Sequence, residues 1–106
     1  MALTIINATI TATSSESLAL VGIVPTGLVL SVAFTGTELS FTGSTNGTDF
    51  YVLKDESGGA VTLPLTGSSG YYNLNEEQFV NCLYLKIISN GTEASPRAVQ
   101  LIVRHF

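Results

Sequence analysis

Apolar and polar residues alternate with period two along most of this chain, and helical periodicity is nearly absent, the pattern of short half-buried strands. Ile6, Ala8, Ile10 and Ala12 predict a first strand, and Leu18 and Leu20 a second after the break at Ser14-Ser15-Glu16. Leu28, Leu30, Val32 and Phe34 share one face of the next strand, with Val29, Ser31 and Ala33 on the other. Leu39 and Phe41 follow, then Phe50 and Val52 beyond Asn46-Gly47, then Val61, Leu63 and Leu65 after the turn Glu56-Ser57-Gly58-Gly59. Pro64 lacks an N–H and sits outward, which marks a sheet edge. Gly67-Ser68-Ser69-Gly70 predicts a flexible connection into Tyr71-Tyr72-Asn73-Leu74. Asn75 followed by Glu76 and Glu77 predicts one capped helical turn. Leu83, Leu85 and Ile87, and after Pro96 the residues Val99, Leu101 and Val103, complete the inward set.

The sharpest local signal runs from Ser40 to Leu53, two alternating stretches joined at Asn46-Gly47. Asn-Gly is the pair best able to take positive φ at both central positions of a type I′ turn, so a tight hairpin is expected there. The whole pattern predicts an all-β, single-domain antiparallel β-sandwich of the jelly-roll kind, with about eight or nine short strands and long terminal ones. Residues 1–13 read as an N-terminal strand or arm and 14–106 as the sandwich.

Composition sharpens this picture. A chain of 106 residues buries roughly 65% of its unfolded surface without help from metal or disulfide. Charged residues are 11% of it, against about 25% in an ordinary globular domain. Val29, Leu53, Tyr84, Ile88, Ile102 and Phe106 fall on faces opposite the inward set. Several apolar residues on outer faces, in a chain this short of charge, predict surface covered by another chain. The formal charge of −4, with only Lys54, Lys86, Arg97 and Arg104 as cations, argues against a nucleic-acid partner. The uncharged run from Leu18 to Thr37 approaches membrane-span length, but Pro25-Thr26-Gly27 cuts it into two strands, so no membrane partner is expected. The first residues lack the basic and apolar regions of a secretion signal, which predicts synthesis in a cytoplasm.

Catalytic and metal chemistry are not expected. His105, the lone histidine, has no nucleophile-elbow motif to serve. Asp55-Glu56 and Glu76-Glu77 are adjacent pairs whose side chains diverge, and Asp49, Asp55 and Glu56 lack EF-hand spacing. Cys82 is the lone cysteine, excluding an intrachain disulfide or a thiolate metal cage, and reads as a buried small hydrophobe. No cofactor is implied. Asn-x-Thr sequons at Asn7, Asn46 and Asn90 include two Asn-Gly turns that local structure already explains.

The stretch Ser44-Thr45-Asn46-Gly47-Thr48-Asp49-Phe50-Tyr51-Val52-Leu53 resembles a hairpin of galactose-binding-like jelly rolls. The order Val21–Pro25, Thr37–Phe41, this hairpin, Leu83–Ile87 and Arg97–Leu101 resembles small β-sandwich virion proteins of tailed bacteriophages. That resemblance implies a structural protein of the virion, a capsid decoration (cement) protein bound outside the shell to the major capsid protein, as a homodimer or homotrimer. Interface residues are then expected at Ile5, Ile6 and Ile10 of the N-terminal strand and at Ile88, Ile102 and Phe106. The alternatives are a connector or tail component, and a carbohydrate-binding module using Asn46, Asp49, Tyr71 and Tyr72.

Overall fold

The computed structural model describes residues 2–66 and 69–106; the first half of the predicted 67–70 connection, residues 67 and 68, lies outside them. Among the described residues ten strands form: β1 (Leu3–Thr11), β2 (Ser14–Ser15), β3 (Leu18–Ala19), β4 (Ile23–Leu30), β5 (Glu38–Ser44), β6 (Tyr51–Val52), β7 (Thr62–Pro64), β8 (Gly70–Asn73), β9 (Tyr84–Ser89) and β10 (Arg97–His105). All pairings are antiparallel. The order β6-β5-β9-β2-β1-β10-β4-β8 makes one continuous sheet, with β3 added to β9 and β7 to β5. The short strand β2 passes the sheet from one layer to the other, pairing Ser15 with Ile10 of β1 and Ser14 with Ile88 of β9. The sheet curls there and closes over its own apolar face, the sandwich that the alternation predicts.

Each layer contributes its inward positions to one core. Ala8, Ile10, Leu28, Leu30, Val99, Leu101 and Val103 come from β1, β4 and β10; Leu39, Phe41, Leu85 and Ile87 come from β5 and β9. Phe79 closes the core from the single 3-10 turn Glu76–Gln78, its ring edge-on to Phe41 at 5.1 Å. Asn75 caps that turn by accepting from Glu77 N, as its position before two acidic residues predicts. Pro64 lies exposed on the edge strand β7.

Several sequence expectations change in the structure. The link after β5 is not a two-residue turn: β6 begins only at Tyr51, and of Asn46 and Gly47 only Gly47 has positive φ (+79°). The Asn46 side-chain oxygen instead accepts from Thr48 N (2.8 Å) and Asp49 N (2.9 Å). These side-chain bonds hold a wider loop in place of the I′ turn. The phase of the following strand also reverses: Val52 is exposed, while Leu53 packs on the core and its backbone joins Phe41 O and Val61 N. Val32 and Leu83 are exposed because β4 ends at Leu30 and β9 begins at Tyr84. Pro25 sits in β4 beside a bulge, where the pairing jumps from Ile102↔Gly27 to Val103↔Pro25 and Thr26 is left over. A bulge is where a strand tolerates a residue without an N–H.

One charged group lies inside the fold. The Glu93 side chain is fully buried and accepts from Thr35 N (2.8 Å), Gly36 N (3.0 Å), Ser89 Oγ (3.0 Å) and Arg97 Nε (3.2 Å). Burial alone raises a carboxyl pKa, but the four donors together outweigh it and hold Glu93 below the usual carboxylate range. Its contribution to stability is therefore complete above the ordinary carboxylate pKa and is lost as pH falls through the lower folded value. Glu93→Ala, which leaves these donors without their acceptor, is expected to cost about 3 kcal/mol. Urea unfolding at pH 7 checks this, and the gap between variant and parent should shrink at strongly acidic pH.

Candidate interaction surface

The outer face of the β1-β10-β4-β8 layer is set by register. Ile5 pairs with Ile102, Ile102 with Gly27, and Val29 with Tyr71, which brings these residues onto one surface with Leu3. Leu3 is 60% exposed, Ile5 56% and Tyr71 71%, and Phe106 at the end of β10 is 70% exposed. Ile102 is only 8% exposed and forms the floor of a shallow depression of about 480 Å³. Gly27 keeps that floor low, since a Cβ there would stand 3.3 Å from Ile102 Cδ1 and 3.2 Å from Tyr72 O. At the rim, Arg104 makes a two-pronged ion pair with Glu76 (2.8 and 3.2 Å) and lies 5.9 Å from the Phe106 ring centre. The pair fastens the 3-10 turn to β10 and neutralises the charge at this edge.

The structure sorts the predicted interface residues. Ile5, Ile102 and Phe106 share this layer's outer side, with Ile102 already covered by its own chain. Ile10 is completely buried and Ile6 packs against the core, because β1 joins the sheet and turns its even-numbered residues inward. Ile88 is half-buried on the opposite layer, paired with Ser40 and Ser14. Leu3 and Val29 complete the apolar outer surface; Val29 is among the outward apolar positions the alternation predicts, and the same count carried along β1 gives Leu3.

The predicted glycan residues are divided between two places. Asn46 and Asp49 line a polar groove of about 900 Å³ with Tyr51, Asp55, Glu77, Gln78, Asn81 and other residues. Tyr71 is on the apolar layer, and Tyr72 packs on the core with its hydroxyl accepting from Thr66 N (3.2 Å). Tyr51 is the exposed aromatic beside Asn46 and Asp49, on the outward side that the inward reading of Phe50 and Val52 implies. In the groove, bonds from the Ser57 hydroxyl and from the Gly59 and Ser57 N–H groups hold the Asp55 carboxyl below its usual pKa. Among the described residues no group of three or more His, Cys, Asp or Glu side chains is placed to hold a metal, and no helix is long and apolar enough to cross a membrane.

Cys82 is buried at the groove floor, its thiol 3.0 Å from Tyr84 O, and burial pushes its pKa up. A buried neutral thiol is a poor nucleophile. Maleimide labelling at neutral pH is expected to be at least about tenfold slower in the folded chain than in urea, and equal rates would contradict this placement.

No protein-family model matches this chain, and no curated protein matches it in sequence. Among solved structures it is similar to the SPBc2 prophage-derived protein YomS, at 9% identity and a TM-score of 0.57, over 98% of this chain and 96% of that one. A subunit of the disulfide-linked pili that form Bacillus endospore appendages aligns at 19% identity and a TM-score of 0.46, over 98% of this chain and 84% of that one. The likeness to YomS extends over nearly the full length of both chains and establishes a shared fold.

Proposed function

We propose that this chain is a structural, non-catalytic protein of a bacteriophage particle, and specifically a decoration protein that binds the outside of the capsid through contacts with the major capsid protein. The observation that carries the reading is the outer face of β1, β10, β4 and β8, where Leu3, Ile5 and Tyr71 lie exposed around an Ile102 floor. A lone solvated domain seldom leaves such residues clustered, whereas a subunit clamped among neighbours covers them. The full-length fold likeness to a prophage-derived protein supports the phage setting. Burial of apolar surface between adjacent capsid subunits is how such a protein resists the outward pressure of packaged DNA.

The test is quantitative mass spectrometry of purified particles. A copy number comparable with that of the major capsid protein is expected. A few copies per particle would assign the chain to the connector or tail, and absence would reject the virion reading. A companion binding assay uses Tyr71→Ser, which removes an exposed ring and leaves the core intact. Capsid affinity is expected to fall at least about tenfold with Tm nearly unchanged.

The groove favours a second reading, a neutral glycan held against Tyr51 by the surrounding amides and carboxylates. Glycan-array binding that Tyr51→Ala abolishes would support it, and an array with no signal would dispose of it.

A further inference from the structure

The N-terminal strand has one edge without a partner. His105 N donates to Ala2 O (3.2 Å), and β1 pairs with β10 from Leu3↔Arg104 to Ile10↔Arg97. Antiparallel ladders alternate hydrogen-bonded and non-hydrogen-bonded pairs, so the even-numbered residues of β1 exchange bonds with β10. The N–H and C=O groups of Leu3, Ile5 and Asn7 therefore point to the opposite edge. There β2 meets β1 only at Ile10 and Thr11, and the Glu16 carboxylate takes Thr9 N at 3.0 Å. Among the described residues nothing meets the edge from Leu3 to Asn7.

Sheet edges are normally blunted by charge, proline, brevity or cover. On β7 the edge carries Pro64, and β6 is two residues long. By contrast β1 is nine residues long, and residues 2–13 contain neither a charge nor a proline. Its exposed side chains at Leu3 and Ile5 add apolar surface beside the open backbone.

We infer that this edge pairs with the same edge of a second copy of the chain, forming a two-fold dimer through antiparallel β1 strands centred on Ile5. The stretch is closed under that symmetry. Ile5 faces Ile5 of the partner subunit, and Leu3 faces Asn7 of the partner subunit, so every outward N–H and C=O from Leu3 to Asn7 finds its complement. No charge lies at the two-fold to repel its twin, while the Glu16 cap on Thr9 limits the pairing to this register. The dimer joins two curled sheets into one and makes their Leu3-Ile5 surfaces continuous. This extends the virion reading to the unit that would bind the shell, yet it stands on the edge geometry alone.

Sedimentation equilibrium on the full chain is expected to give twice the 11.2 kDa protomer mass. Ile5→Pro removes an outward N–H that β10 does not use, and Ile5→Lys places a charge at the two-fold; each should yield a monomer with an unchanged circular dichroism spectrum. Ile5→Cys gives a register readout that does not depend on either variant folding well. Its Cα would lie about 5.5 Å from its twin, within disulfide range, so an oxidised dimer is expected. Leu3→Cys, whose twin would be roughly 13 Å away, should not cross-link. Buried Cys82 does not compete. A wild-type monomer at millimolar concentration, or equal cross-linking by both cysteine variants, would overturn the inference. Absence of the chain from particles would reject the virion reading and leave the dimer standing, so the two fail separately.

Discussion

Pairing of the two terminal strands is the constraint on which the sheet depends. Strand β10 lies between β1 and β4, and each of those uses it as its main partner. Its inward residues Val99, Leu101 and Val103 are fully buried, as are Ile10 and Leu28 on the strands beside it. Without β10, β1 would keep only its two-residue pairing with β2, and β4 only its pairing with β8. The Glu93 knot works at the start of the same strand, tying Thr35 and Gly36 to Arg97 so that β10 enters the sheet at a fixed place.

The chain's few cations are largely committed to such fastenings. Arg97 meets Glu93, Arg104 meets Glu76, and Lys86 lies 4.5 Å above the Phe50 ring. Lys54 lies in the polar groove. The outer layer of β1, β10, β4 and β8 therefore has little free charge to keep it apart from a neighbour. Its exposed apolar residues and its paired Arg104 belong to the same arrangement.

Much of this was legible in the sequence because period two is strict where a strand has one wet and one dry face. The inward residues of β1, β5, β9 and β10 follow that rule directly, and so does the capped turn at Asn75. The rule weakens where a segment is an edge or a loop. Both residues of β6, Tyr51 and Val52, are exposed, so alternation carries no phase there, and Leu53 takes the inward position through its backbone bonds to Phe41 and Val61. Asn46 followed its local side-chain bonds instead of its turn propensity. Ile102 is concealed by the close approach of Gly27 and the depression around it, and Glu93 by a donor set half of which, Thr35 and Gly36, lies far away in sequence; neither arrangement leaves a periodic trace. For the interface, sequence could give the outward face but not which outward residues their own chain covers.

The pairing of β1 with β10 also sets an order of events during synthesis. Leu3 must wait for Arg104, about a hundred residues later, which at roughly 5–20 residues per second is at least about five seconds on the ribosome. During that interval both edges of an uncharged, apolar strand are bare, not one. Contacts of such long range also make for slow folding once the chain is free. The sequence that leaves one edge open in the finished fold thus makes the nascent chain vulnerable to premature strand pairing.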